Sequence, residues 1–193
     1  MIDPSATGRS SVHVPQPSEE QIAQVILQVG AYIDERRQTY RRRAVPLSQN
    51  QMASMRTFFP ASTLDSAGVM VLAGSRVSNP PFYGLLMAMG FDAGSLPNFS
   101  LMAAITFVDT VVSHEAFTDR LLFHELVHVV QYEKLGLREF AAKYVRGFLS
   151  GGSYEAIPLE MNAYELDARF AAQPTKPFSV EAEVRAWIDG GRF

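Results

Sequence analysis

Residues 121–136 are LLFHELVHVVQYEKLG. The five residues from His124 to His128 are the most informative part of the sequence. Histidines four residues apart on an α-helix differ by about 40° in azimuth and about 6 Å in height. Both imidazoles therefore leave one face of the helix and can bind one metal ion at Zn–N distances of roughly 2.0–2.1 Å. Glu125 follows the first histidine, where its carboxylate can take a proton from metal-bound water without binding the metal. The pattern indicates a zinc site on a helix.

The flanking residues predict that this helix is buried and runs from about residue 118 to residue 135. Thr118 is suited to the N-cap, and Gly136 to the first position beyond the C-terminal end. Apolar side chains surround the motif on almost every side: Leu121, Leu122, Phe123, Leu126, Val127, Val129 and Val130. Burying two histidines and a glutamate is costly unless something compensates them. A metal ion therefore explains the motif better than two hydrogen-bonded core histidines do.

Composition sets the class of protein. The chain has 193 residues, of which 47% are apolar and 19% charged, and this is typical of one globular domain. A net charge of −3 argues against nucleic acid as a partner, and the arginines within residues 36–43 are interpreted as the solvated end of a helix. The absence of cysteine excludes disulfides and thiolate ligands and fits a reducing cytoplasm. With no apolar stretch of about 18 residues and no secretory signal, we expect a cytoplasmic protein without a membrane partner.

The rest of the sequence predicts a mostly helical α+β fold. Residues 1–17 are predicted to be a flexible arm, and residues 18–193 a single domain. Apolar periodicity and capping residues predict helices over residues 18–43, 48–58, 81–90, 137–149, 158–172 and 179–189. Residues 68–74 are predicted to be a buried strand, and residues 102–113 one strand or a tight pair of strands.

A catalytic zinc usually has three protein ligands and one position left for water. The chain has four histidines, so an imidazole ligand would have to be His13, in the predicted arm, or His114, at the end of a strand. A structural role suits His114 better. A carboxylate from the helix over residues 158–172 is the preferred third ligand.

That helix offers two glutamates as the third ligand. Glu160 shares a face with Ala163, Tyr164 and Asp167, because they follow it by three, four and seven residues. Glu165 is rotated by about 140° from Glu160, so the two cannot face one metal. Glu165 also has Arg169 one turn further on, which predicts a surface ion pair. Glu160 is preferred, and Glu165 stays as the alternative.

These motifs resemble a known group of proteins. HELVH followed by Glu160-Met161-Asn162-Ala163 resembles the zincin-like metallopeptidases with a glutamate third ligand, the gluzincin arrangement of the CAAX-protease-like and IrrE-like families. The blocks HELVHVVQYEKLG and IPLE-x-NAY are also similar to small uncharacterised bacterial zincin-like proteins, over roughly residues 103–170. The resemblance implies a zincin-like fold, bound Zn²⁺, a hydrolytic reaction and a small mixed sheet whose edge strand, within residues 103–113, borders the site.

The resemblance also implies roles for single residues. Related enzymes often hold a metal histidine with Asp or Asn one turn after the ligand glutamate, but this chain has Tyr164 there and Asp167 one turn further. Zn²⁺ would be held by His124, His128 and Glu160, and Glu125 would pass a proton from water to the leaving amine.

Two tyrosines are candidates for steadying the oxyanion. Tyr154, in the glycine-bounded loop between the two site-bearing helices, is preferred to Tyr164, and a packing role also fits both. The leading prediction is a zinc metallopeptidase that cleaves a peptide or protein substrate. The alternative is a metal-stabilised regulatory or interaction domain with little or no peptidase activity.

Overall fold

The computed structural model describes residues 16–193, so His13 and nearly all of the predicted arm lie outside the described residues. In chain order the elements are α1 (Glu19–Arg41), β1 (Val45–Pro46), α2 (Gln49–Met55), α3 (Ala61–Ser66), β2 (Gly68–Val71), α4 (Tyr83–Ala88), two 3₁₀ turns (Ala93–Ser95 and Phe99–Leu101), β3 (Ala104–Phe107), β4 (Thr110–Ser113), α5 (Asp119–Gly151), α6 (Pro158–Ala172) and α7 (Val180–Asp189). Helices dominate and the sheet is small, which confirms the predicted α+β class.

The sheet has four strands in the order β1-β2-β4-β3. β2 and β4 are parallel, whereas β1 pairs with β2 and β3 with β4 in antiparallel fashion, so the sheet is mixed. The stretch over residues 102–113 is the tight pair, with Phe107 opposite Thr110 across its turn. β3 is one of the two edge strands, and its Thr106 contacts the helix that carries the histidines. The sheet thus places one short edge beside the candidate site.

α5 carries the HExxH motif and bends sharply at Gly136. There φ is 74° and ψ is 160°, a backbone conformation that is essentially restricted to glycine. The helix predicted to end at residue 135 and the one predicted over residues 137–149 are therefore two arms of one bent segment. The arms contact each other through the stacked rings of Tyr132 and Phe140, whose centroids are 3.7 Å apart. Within residues 16–193, neither α5 nor any other helix is long and apolar enough to cross a membrane.

The N-terminal helix α1 closes one side of the core. It begins with a capping box, in which Ser18 Oγ accepts from the Gln21 backbone N–H and Gln21 Oε1 accepts from that of Ser18. The arginines at its other end were interpreted as a solvated cap, but this is wrong for Arg37. Its guanidinium donates two hydrogen bonds to the carboxylate of Asp109, at 2.8 and 2.7 Å. Arg37 therefore ties α1 to the β3–β4 turn.

α6 begins at Pro158, as predicted, and its first turn packs directly on α5. At Gly147 of α5, a Cβ atom would lie 2.6 Å from Pro158 Cδ and 3.4 Å from Ile157 Cγ2. The absence of a side chain at Gly147 therefore lets the start of α6 approach the helix. This close approach positions Glu160, one turn along from the contact.

Gly147→Ala is expected to destabilise the protein by about 1–3 kcal/mol, because the added methyl group overlaps the proline ring. Gly30→Ala is the matched control, since Gly30 lies inside α1 and a Cβ atom added there would have no atom within 4 Å. That variant should be neutral or up to about 1 kcal/mol more stable. Urea unfolding of both variants measures the difference, and equal free energies of unfolding would contradict the close approach.

Candidate metal centre

Three side chains from two helices converge at one point. His124 Nε2 and His128 Nε2, both on α5, lie 3.2 Å apart. Glu160 Oε2, on α6, lies 3.3 Å from His128 Nε2 and 3.6 Å from His124 Nε2. All three residues are buried, with exposed fractions of 8%, 5% and 4%. The described residues thus contain a buried group of two nitrogen atoms and one carboxylate oxygen that can hold a metal ion.

The other candidate ligands lie elsewhere. Glu165 is on the opposite side of α6, with 61% of its side chain exposed, and its nearest cation is Arg192, at 3.7 Å. The predicted pair of Glu165 with Arg169 is wrong, because Arg169 reaches across to Glu183 on α7, at 2.6 Å. Between the two glutamates, the structure brings Glu160 to the histidines.

His114 has a structural role instead. Its Nδ1 lies 2.6 Å from the carbonyl oxygen of Met102, and its Nε2 accepts a hydrogen bond of 2.9 Å from the backbone N–H of Val77. The ring is therefore neutral, with the proton on Nδ1. It links the end of β4 to two loops, and both of its nitrogen atoms are used by the backbone.

Asp167 orients the first histidine. Its Oδ2 lies 2.9 Å from His124 Nδ1, while Oδ1 accepts two hydrogen bonds from the Arg120 guanidinium, at 3.1 and 2.7 Å. Asp167, two turns after Glu160 on α6, thus lies against the outer nitrogen of His124. Because the carboxylate accepts at Nδ1, it keeps a proton there and directs Nε2 towards the centre.

Gln131 orients the second histidine. Its Nε2 donates to Leu159 O at 2.9 Å and to Asn162 Oδ1 at 3.0 Å, so its Oε1 faces His128 Nδ1, also at 2.9 Å. His128 therefore also has its Nδ1 protonated and its Nε2 directed inward. The sequence analysis missed this residue. A lone glutamine three residues after His128, in an otherwise apolar stretch, was the available signal.

The donor atoms fit a metal cation. The two Nε2 atoms and the carboxylate oxygen Glu160 Oε2, which is buried and makes no hydrogen bond, face one another. Burial lowers the pKa of His124, but Asp167 and Glu160 outweigh it and raise that pKa to about 10. Burial raises the pKa of Glu160, but the two imidazoles outweigh it and hold that pKa well below its usual range. The site thus favours positive charge at its centre, which a divalent metal supplies.

Glu125 is buried beside the three donor atoms but is held separately from them. Its Oε2 accepts a hydrogen bond of 2.7 Å from Thr106 Oγ1, on the edge strand β3. Glu125, His128 and Glu160 line the same cavity. Thr106 was also missed in the sequence, where it is one of several β-branched residues in a strand. The Glu125 carboxylate therefore lies next to the three candidate donor atoms but is not one of them.

The two candidate tyrosines occupy different positions. Tyr154 is half-buried and lines the cavity with Glu125 and Glu160. Tyr164 is 42% exposed, and its ring lies 4.7 Å from that of His124, measured between centroids. Burial, with the charge of Glu160, raises the pKa of Tyr164 to about 12 and that of Tyr154 well above its usual range. Both hydroxyls keep their protons near neutral pH, but only Tyr154 faces the cavity.

Asp167→Asn is expected to weaken metal binding by about 10–100-fold, because the amide no longer holds His124 Nδ1–H as a carboxylate does. The control is Asp189→Asn, an exposed carboxylate at the end of α7. Competition with a fluorescent zinc chelator measures both affinities. An Asp167→Asn affinity equal to that of the control would show that the contact does not support the site.

Comparisons with known proteins add no assignment. The chain matches no protein-family model, no curated protein and no solved structure. The case for its function therefore rests on the motif and on the geometry described above.

Proposed function

We propose that this protein is a zinc-dependent hydrolase of the metallopeptidase type, with a zincin-like fold. The observation that carries the proposal is the convergence of His124 Nε2, His128 Nε2 and Glu160 Oε2, with the Glu125 carboxylate held beside them. Two imidazoles and one carboxylate form a usual ligand set of catalytic zinc. A helix with HExxH, beside the edge strand of a mixed sheet and a second helix with the glutamate, also supports a zincin-like fold.

The residues of the site have separate roles in the proposed reaction. Asp167 and Gln131 fix the two imidazoles, so that both Nε2 atoms face the ion. When bound, zinc supplies Lewis acidity, which acidifies a water molecule and polarises the substrate carbonyl. Glu125, oriented by Thr106, accepts the proton of the water and delivers it to the leaving amine. Tyr154 donates a hydrogen bond from its hydroxyl group to the developing oxyanion and keeps its proton.

Two measurements on the purified protein test the proposal. Elemental analysis should find one equivalent of zinc, and a mixed peptide library should be cleaved in a reaction that a chelator stops and added zinc restores. Zinc that raises the melting temperature, with no cleavage of any peptide or amide, would favour the metal-stabilised regulatory domain. A preparation that stays free of metal in excess zinc would refute both.

A further inference from the structure

A cavity of about 120 Å³ opens from the metal centre into the apolar core. Its charged lining residues are Glu125 and Glu160, which lie with His128 at the metal end. Most of the rest of the wall is made of aliphatic and aromatic side chains from α1, α4, α5, β3 and the segment over residues 80–102. The cavity is thus polar where chemistry would occur and apolar everywhere else.

The lining of the cavity extends along two helices. On the second arm of α5 it runs from Phe140 to Leu149, which span about 13 Å at the helical rise. On α1 it runs from Ile22 to Ile33, which span about 16 Å. We call this space, which is lined by the metal centre and by these two helices, the channel.

Three of the five tyrosine hydroxyls in the channel wall bond to the protein itself. The hydroxyl of Tyr32 donates to Ser78 O at 3.2 Å, and that of Tyr83 donates to Pro97 O at 2.7 Å. Closer to the metal centre, the Tyr132 hydroxyl reaches Thr106 O on the edge strand, at 3.5 Å. These tyrosines therefore offer ring faces rather than hydrogen-bonding groups to an occupant.

This wall discriminates between two kinds of occupant. A peptide in the channel would bring one N–H and one C=O group per residue, and each of these costs free energy when it is buried without a partner. An alkyl chain has no such groups and gains from every buried methylene. The wall thus favours a hydrocarbon chain over a peptide backbone.

We propose that the channel binds the unbranched acyl chain of an acyl amide, with the amide carbonyl at the metal centre and the amine side outside. The proposal rests on the proposed hydrolase and names its substrate class. In the reaction, the oxygen of water bonds to the acyl carbon and the C–N bond breaks. One proton of the water passes through Glu125 to the nitrogen. The products are a fatty acid and a free amine, so no oxidant or further reactant is needed.

Binding of saturated carboxylates, from hexanoate to tetradecanoate, tests the channel without any turnover. With the zinc-loaded Glu125→Gln protein, calorimetry should show affinity rising by roughly three- to fourfold per added methylene until the channel is full. Affinity that does not depend on chain length would overturn the proposal.

Met87 and Met89 lie two residues apart and provide a matched pair of variants. Met89 is half-buried, lines the channel and packs against a hydrophobic cluster with Leu86 and Leu96 that contains no residue of the metal centre, whereas Met87 is 47% exposed and does not line the channel. Met89→Trp should weaken the binding of tetradecanoate by at least about tenfold and leave the binding of hexanoate unchanged. The larger side chain fills only the end of the channel that the short chain does not reach. Met87→Trp should change neither. If Met89→Trp weakened the binding of hexanoate and tetradecanoate equally, the acyl chain would not run from the metal centre towards Met89.

Hydrolysis separates this inference from the proposed function. Acyl amides of one fluorogenic amine should be cleaved with a kcat/KM that rises with chain length, and in preference to peptides. Length-dependent binding with no cleavage of any amide would refute the hydrolase and keep the acyl channel. Efficient cleavage of polar peptides, with no preference for long acyl amides, would keep the hydrolase and refute the acyl channel.

Discussion

Glu125→Gln should lower hydrolysis by about 10³-fold and leave one equivalent of zinc bound. The Glu125 carboxylate lies beside the donor atoms but is not one of them, so its loss removes a proton acceptor and not a ligand. Glutamine has the same shape, and its carbonyl oxygen can still accept the hydrogen bond from Thr106. Single-turnover kinetics and elemental analysis of the same preparation measure the two effects together.

Glu139→Gln is the matched control for this prediction, since Glu139 lies on the same helical segment with 54% of its side chain exposed. It should retain both activity and zinc. A Glu125→Gln protein that lost zinc as completely as His128→Ala would contradict the division between ligands and proton carrier. Full activity in Glu125→Gln would instead refute its role in proton transfer.

Glu160→Gln should lower zinc affinity by more than the roughly 10–100-fold expected for outer partners such as Asp167. The amide takes away the negative charge that faces both imidazoles at 3.3 and 3.6 Å. Because a ligand that binds only the folded state stabilises it, zinc should raise the melting temperature of the wild type and not of Glu160→Gln. Calorimetric titration and thermal unfolding, each with and without zinc, give both quantities.

Glu165→Gln is the control here, because it removes the same charge from the exposed side of the same helix. It should bind zinc as the wild type does. The assignment of the third ligand would be wrong if Glu165→Gln lost zinc while Glu160→Gln kept it. The melting temperatures without zinc show whether either variant is simply misfolded.

The helices and strands were largely predictable because their signals are local. Thr118 caps α5 through a hydrogen bond of 3.1 Å to the Leu121 backbone N–H, and Gly136 ends its first arm with a positive φ. The α1 capping box and the proline at the start of α6 are similarly short-range signals. For the β3–β4 pair, the sequence could not distinguish one strand from two, since four-residue strands carry little periodicity.

The site was predictable in part, where helical spacing determines direction. His124 and His128 share a face by their spacing alone, and the preference for Glu160 over Glu165 followed from the rotation between them on one helix. The outer partners did not follow in this way. Thr106, Asp167 and Gln131 contact the site across 19, 43 and 3 residues of sequence, respectively. The direction of the Gln131 amide also depends on its acceptors on α6.

By itself, then, the sequence determined the HExxH helix, the rotation that keeps Glu160 and Glu165 from facing one ion together, and the α+β class, since dihedral preferences and side-chain periodicity act within one element. Only the tertiary structure decided which carboxylate reaches the histidines, what holds each imidazole, and that an apolar channel runs from the centre. Those features depend on how α1, α5, α6 and β3 pack against one another. Such packing is set by contacts between residues far apart in the chain, which no local pattern encodes.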